Sequence, residues 1–413
     1  MNLLIITADD LNADSAGWMG SRAGATPNID AFAATAHQFR NCHTVIPICQ
    51  PSRSAFMTGR VPHRNGASGF GPVRADVPTL TEILRANGYF TAAINKIKHM
   101  APPEKFPWDL ALDGSGKNPA ALRAHFQQCL NAARASGKPF FINANSTDPH
   151  GPFPEDVPFD ESKIDIPSFL EDLPEVQREV AQYFSNVHRL DQSFGEIIDA
   201  LGSMIDDTIV LFFSDHGMPM PFSKAVLYRY ATWAPVLWRP SKIDNRIQSD
   251  DLVSNIDIMP TVLDLLGLTK PEGMDGESWI ETHSRDHIFT QVDTVNSGRE
   301  FHARCIRTKT RAYIWNPWAD GKTEFRIGAM SKRLSWHAIV EAAERDPKLK
   351  ARVQHFIYRC PEEFYDEQRD PDERVNLIDD PAYKIDIDNM KALLADHMEK
   401  TGDPLLAKFP RSR

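Results

Sequence analysis

The chain has 413 residues and a formal net charge of −10. That length exceeds one small core and points to a large domain with a smaller one, while the acidic balance argues against a nucleic-acid partner. A mean hydropathy of −0.39, with no apolar run long enough for a bilayer, argues for a soluble protein with no membrane partner.

The first residues, "MNLLIITADD", have no basic leader and no small-residue cleavage site, so a cytoplasmic location is expected. In chain order, "NLLIITA" (2–8), "YFTAAIN" (89–95), "PFFINANS" (139–146), "TIVLFFS" (208–214) and "APVLWR" (234–239) read as strands buried on both faces. Between them lie amphipathic helical segments at 27–38, 78–88, 118–136, 174–201 and 256–267. Strand alternating with helix predicts an α/β fold, a mostly parallel sheet sandwiched by helices. After about residue 285 the texture changes. "HIFTQV", "ARCIRT" and "RAYIWN" predict short antiparallel strands, followed by helices at 333–347 and 384–399. The expected division is therefore a catalytic domain, 1–285, and a C-terminal α+β subdomain, 286–413.

Open α/β sheets bind ligands beyond the carboxyl ends of their strands. Here those ends carry Asp9-Asp10, Lys96 with Lys98 and His99, Asp148-Pro149-His150, and Asp215-His216-Gly217. Carboxylates from separate strands suit Ca²⁺ or Mg²⁺, and an imidazole from His216 also suits Mn²⁺ or Zn²⁺. Alternatively, Asp9 and Asp10 cap the following helix. Lys96, Lys98, Lys224 and Arg53 together would form a pocket for a tetrahedral anion, although each alone reads as a surface charge.

The five cysteines, Cys42, Cys49, Cys129, Cys305 and Cys360, are odd in number and irregular in spacing. They form neither a disulfide framework nor a CxxC metal site. Cys49 opens the helical stretch "CQPSRSAFMTGR". A cysteine at a helix N-terminus can be an activated thiolate, or simply a small buried apolar residue.

This stretch resembles the signature of the type I sulfatases, members of the alkaline phosphatase superfamily, in which the cysteine is converted to formylglycine. The resemblance continues through "ITADDLNADSAGWMG", "ATPNIDAFAATAHQFRNCHT", "INKIKHM", "DPHGPF", "SDHGMPMPFSKAVLYRYATWAPVLW" and "EEFYDEQRDPDERVNLIDD". Within the family, "SDHGMPMPFSK" and "LSWHAIVEA" are similar to the sulfamidases (N-sulfoglucosamine sulfohydrolases).

The resemblance implies an alkaline phosphatase-like sheet and a metal held by Asp9, Asp10, Asp215 and His216 beside the modified Cys49. The metal is usually calcium, with Mg²⁺ or Mn²⁺ as alternatives. It implies that Arg53 supports residue 49, that Lys96 and Lys224 bind sulfate oxygens, that His150 protonates the leaving group, and that a second histidine deprotonates the remaining hydroxyl. The activity implied is hydrolysis of a sulfuric ester or sulfamate, on a small sulfated substrate such as a saccharide. A formylglycine-generating enzyme is then a required partner, and a homodimer fits the family likeness.

Two positions depart from the pattern. In "NKIKH" the histidine falls three residues after Lys96 rather than two, so either Lys98 takes that place or a slip brings in His99, the reading adopted. Many sulfatases carry Asn where this chain has His216. Animal sulfamidases acting on heparan fragments are lysosomal, so the expected cytoplasmic location favours a small metabolite over a polymer. Phosphonate monoester and phosphodiester hydrolases share the fold and the signature, and give the alternative activity. An anion-binding protein with an unmodified Cys49 is a third reading. The C-terminal part is expected to complete the cleft rim, with His188, Arg229, Trp233, Asn296 and His302 as candidate substrate contacts.

Overall fold

The computed structural model describes residues 1–158, 161–241, 247–281 and 285–410. Eight strands make the large sheet: β1 (Asn2–Asp9), β2 (His37–Phe39), β4 (Phe90–Ile94), β5 (Leu110–Leu112), β6 (Phe140–Pro149), β7 (Thr208–Ser214), β8 (Val236–Arg239) and β9 (Gln248–Ser249). Their order is β5-β4-β6-β1-β7-β8-β2-β9. Neighbours from β5 to β7 run parallel, while β8 is antiparallel to both β7 and β2. A small parallel ladder pairs β3 (Cys42–His43) with β10 (Val253–Ser254).

The apolar runs have a simple cause, because each central strand is covered on both faces. Leu4, Ile6, Ile142, Ala144 and Phe212 face the helices Pro119–Ser136 and Pro174–Leu201, where they meet Phe126, Val180, Val187 and Phe194. Leu3, Ile5, Phe141, Leu211 and Phe213 face the other way. They pack on Phe56 and Met57 of the helix Cys49–Thr58 and on Ile258 and Val262 of the helix Ile258–Leu265. Burying each such side chain contributes about 1.5–3 kcal/mol. Local signals set the helix ends. Thr79 and Glu82 form a capping box, and Gly137 ends its helix at φ 67°.

Two expected helices are corrected. The segment 27–38 is helical only over Pro27–Ala33. Gln38 Nε2 donates to Ala33 O at 2.9 Å, and His37 stacks on Trp238 with ring centroids 4.7 Å apart, so 37–39 joins the sheet as β2. The segment 333–347 is helical over Leu334–Ala343, and a second helix that the sequence reading did not include follows it, Pro347–Tyr358. Asp346 caps the second, accepting from Lys348 N at 2.8 Å, and Pro347 starts it.

A second sheet is antiparallel in the order β11 (His287–Thr294), β12 (Glu300–Thr308), β13 (Arg311–Trp315) and β14 (Glu362–Asp366). Met390, Leu394 and Met398 of the helix Lys384–Thr401 cover one face through Ile306, Tyr313 and Phe364. The other face, through Cys305, Ala312 and Ile314, joins the core beneath the large sheet. Arg307, fully buried, fixes this junction. It donates to Leu227 O at 2.8 Å and to Glu373 Oε1 at 2.9 Å.

Candidate active site

The carboxyl ends of β1, β4, β6 and β7 meet the N-terminus of the helix Cys49–Thr58. Asp9 ends β1, and Asp215-His216 follow β7, its parallel neighbour. Asp9, Asp10, Asp215 and His216 have no exposed surface. Asp10 (φ 73°) and Lys96 (φ 52°) hold left-handed backbone without being glycine, a cost of about 1–3 kcal/mol each that is typically kept at functional sites. Gly217 has a plain steric reason, since a Cβ there would lie 1.9 Å from Tyr230 O.

Cys49 sits at the centre. Its Sγ is 3.2 Å from His216 Nε2 and 3.9 Å from Lys224 Nζ. Ligand atoms of Asp10, Cys49 and His216 lie within 4.8 Å of one another, and so do those of Asp9, Cys49 and Asp215. His216 Nδ1 donates to Gly217 O at 3.0 Å, and its Nε2 faces the sulfur. Burial, reinforced by Asp9, Asp215 and Asp10, pushes the Cys49 thiol well above its ordinary range despite Lys224.

The residues around this centre fit a cation. Burial opposes the charge on Asp9, yet Lys96 and Arg53 hold its carboxyl well below the usual range. Lys224 and His216 do the same for Asp10 against burial. Burial raises Asp215, although His216 and Arg53 pull it down. Among the described residues, Asp9 Oδ1 is buried with no hydrogen-bond partner, an arrangement that costs free energy unless a cation completes it. Carboxylates with one imidazole are the donor set of a hard or borderline divalent ion.

The cations are ordered around the same carboxylates. Arg53 donates to Asp215 Oδ2 at 3.0 Å, Asn145 Oδ1 at 2.6 Å and Thr7 Oγ1 at 2.9 Å, and lies 3.6 Å from Asp9. Lys96 pairs with Asp9. Lys224 Nζ bonds both oxygens of Asp10, at 2.7 and 2.8 Å. His150 is half-exposed, with Nε2 3.9 Å from Asp10 and Nδ1 donating to Gly151 O at 2.7 Å. Of the two candidates after Lys96, Lys98 is exposed, whereas His99 is half-buried and feels Arg53, Lys96 and Asp9. Burial, with Arg53 and Lys96, pushes His99 down to about 3, and its buried Nδ1 has no hydrogen-bond partner among the described residues.

The sequence reading missed the residues that hold these groups. Asn145 accepts from Arg53 and donates to Ile94 O at 3.0 Å and Asn95 O at 3.2 Å. Its signal was an asparagine inside an apolar strand. Arg189 binds Asp148 twice at 2.8 Å. Asn186 Nδ2 donates to the carbonyls of Pro149, His150 and Pro152 at 3.3, 3.0 and 3.1 Å, and Lys117 also bonds His150 O. Together they clamp the loop bearing His150.

The five candidate substrate contacts do not gather here. Arg229 stacks over Trp233 at 4.3 Å, and Trp233 Nε1 donates to Arg40 O at 2.7 Å. His302 pairs with Asp293 at 3.0 Å, and His188 lies 3.3 Å from Gln192 Nε2. Asn296 lines a separate cavity.

A family model described as Sulfatase matches residues 1–268. The chain belongs to the sulfatase family. Human N-sulphoglucosamine sulphohydrolase is 26% identical over an alignment covering 98% of this chain and 91% of that protein. A structure solved in complex with its substrate D-glucosamine-2-N,6-O-disulfate superposes with a TM-score of 0.74, at 17% identity, covering 98% of both chains. A phosphonate monoester hydrolase from Silicibacter pomeroyi also has a TM-score of 0.74 at 17% identity, covering 98% of this chain and 96% of that one. These two structural likenesses show the fold alone. This sulfatase-family chain thus has the large mixed, mostly parallel sheet and the C-terminal antiparallel sheet expected of it.

Proposed function

We propose that this protein hydrolyses a sulfate ester or sulfamate, using Cys49 as formylglycine and a divalent cation, Ca²⁺ ahead of Mg²⁺ or Mn²⁺. The observation that carries the reading is the convergence on Cys49 of His216 and Lys224, with Asp9, Asp10 and Asp215 within ligand reach. A thiol buried among three carboxylates is a poor nucleophile. Hydrated formylglycine at position 49 would supply two hydroxyls, one to attack sulfur and one to be deprotonated as sulfate leaves. A cation would be held by Asp9, Asp10, Asp215 and His216, where its charge would lower the hydroxyl pKa and offset charge on the sulfate oxygens.

The chain's own groups do the rest. Arg53 lies behind residue 49, fixed by Asp215 and Asn145, and offsets negative charge there. Lys96 and Lys224 bring ammonium groups to the oxygens of the sulfate. His150, whose Nε2 lies 3.9 Å from Asp10, is placed to pass a proton to the leaving oxygen or nitrogen. His99 is the proposed acceptor of the proton from the remaining hydroxyl; burial, Arg53 and Lys96 lower its pKa, which keeps the ring neutral beforehand and also weakens it as a base.

The relative that acts on N-sulphoglucosamine and the fold neighbour holding a sulfated glucosamine support a small sulfated saccharide or similar metabolite as substrate. The test uses protein co-produced with a formylglycine-generating enzyme and loaded with Ca²⁺. Sulfate is measured from glucosamine 2-N-sulfate, glucosamine 6-O-sulfate and phenyl sulfate, with a phenyl phosphonate monoester in parallel. Sulfate release, lost in Cys49→Ala, is the expected result. Turnover of the phosphonate alone would replace this reading with the phosphonate hydrolase, and turnover of none would remove it.

A further inference from the structure

Phe70 is the one phenylalanine or tryptophan left exposed among the described residues, with 44% of its surface open to solvent. Exposing so large an apolar ring forgoes the free energy of burying it. A single exposed Phe is ordinary where nothing functional lies beside it, but Phe70 lies beside His99. Their ring centroids are 6.2 Å apart with planes at 81°, so the edge of one ring meets the face of the other. In either arrangement His99 leaves at least one face of Phe70 uncovered.

The loop that carries this ring is pinned on both sides of it. Gly71 O accepts from Gln50 Nε2, the neighbour of Cys49, at 3.0 Å, and Ser68 O accepts from Thr294 N at 3.3 Å. Gly69 packs so closely that a Cβ there would lie 2.8 Å from Thr294 Cβ. The ring is therefore held in place before any ligand arrives, which removes the ordering cost of using it. His99, its neighbour, feels the charges of Arg53, Lys96, Asp9 and His150, the groups gathered around residue 49. Through His99 on one side and Gln50 on the other, Phe70 stands at the rim of the candidate active site.

We infer that Phe70 is a stacking platform for the leaving group, and that the substrate presents a ring at the scissile bond, either an aryl group or the C–H face of a pyranose. The inference rests on the sulfatase reading above and narrows its substrate class. In that reading the sulfate is met by ammonium groups and gains nothing from an apolar ring. A ring joined to the sulfate through one oxygen or nitrogen extends toward the rim, where its flat face covers Phe70 and hydroxyls on its edge stay in water. A short open-chain alkyl sulfate has too little apolar surface to use the platform.

The test uses the Ca²⁺-loaded, formylglycine-bearing protein and calorimetric binding of ethanesulfonate, phenylmethanesulfonate and cyclohexylmethanesulfonate. Carbon replaces the ester oxygen in these sulfonates, so none can be hydrolysed. A ring sulfonate is expected to bind more tightly than ethanesulfonate. Phe70→Ala is expected to shrink that ratio by about three- to tenfold and to leave ethanesulfonate binding unchanged, while Phe70→Trp keeps the ratio. An effect shared by the cyclohexyl probe supports a saccharide, and one confined to the phenyl probe supports an aryl sulfate. No preference for a ring, a preference unchanged in Phe70→Ala, or one that falls equally in Phe70→Trp would overturn the platform while leaving the sulfatase reading in place. An equal loss on every probe would also overturn it, making Phe70 a support for His99. If no sulfonate binds, kcat/KM for phenyl sulfate against methyl sulfate decides the platform in the same variants. Neither binding nor turnover would remove the platform together with the sulfatase reading.

Discussion

Arg189 is the residue whose role the sequence conceals and the geometry makes plain. It sits in the middle of the helix Pro174–Leu201, and its two bonds to Asp148 hold the strand end from which His150 projects. If His150 protonates the leaving group, loosening this clamp should matter only when that proton is needed. Arg189→Ala should therefore lose about 10²-fold in kcat toward an alkyl sulfate or a sulfamate. It should lose little toward 4-nitrophenyl sulfate, whose leaving group departs unprotonated. Equal losses on both would mean that Arg189 only stabilises the fold. The residues proposed to carry chemistry, Lys224 apart, could be singled out in the sequence because they lie just past strand ends or in the Cys49 stretch. The residues that hold them could not. Asn145, Arg189, Asn186 and Lys117 come from a strand interior, a helix and a loop, and only the folded chain brings them together.

At the scale of elements, strands covered on both faces announce themselves as apolar runs, which is why β1, β4, β6, β7 and β8 were read from sequence. β14 was hidden because it reads "EEFYD". Its buried Glu363 is held by Asn316 at 2.7 Å, by Tyr228 at 3.2 Å and by the His355 ring at 3.2 Å, partners that no local pattern reveals. β2 was hidden because three residues set no period. Turns are legible where sterics leave one solution, and Gly217 is the clearest. Gly217→Ala must push the Tyr230 carbonyl away from the turn that follows β7, at a cost of about 1–3 kcal/mol, and it shifts His216 with it. The variant should unfold at lower denaturant concentration and bind Ca²⁺ more weakly. A variant with unaltered denaturation midpoint and Ca²⁺ affinity would show that the turn is not rigid.

For the whole molecule, the junction between the C-terminal helix and the second sheet contributes to the loss of stability toward acid. His397 stacks on Phe289 with centroids 3.7 Å apart, and burial, helped by His63, pushes it down to about 3. Its folded pKa is below its unfolded value, so the unfolded chain binds the extra proton, and stability falls as pH drops from about 6.5 toward 3. Asp293 adds a second loss. Arg304 and His302 hold it at about 2 against burial, so its contribution is full above the unfolded value and fades as pH falls from about 4 toward 2. Urea unfolding at pH 7, 5 and 4 should show stability falling toward acid, by at most about 1.4 kcal/mol per pH unit for each proton taken up. His397→Gln should flatten the loss between pH 6 and 4. An unchanged slope in that variant would place the acid sensitivity elsewhere.

On the proposed mechanism, the chemistry of the whole molecule depends on the state of residue 49. Trypsin releases residues 41–53, "NCHTVIPICQPSR", which hold both Cys42 and Cys49, so fragment ions are needed to place a modification. In protein co-produced with a formylglycine-generating enzyme, the fragments should show an aldehyde at position 49 and an intact thiol at Cys42, which is buried away from the cluster. An unmodified thiol at Cys49 in protein that nonetheless releases sulfate would contradict the account. The nucleophile would then have to be sought elsewhere among the groups around Asp9, Asp10 and Asp215.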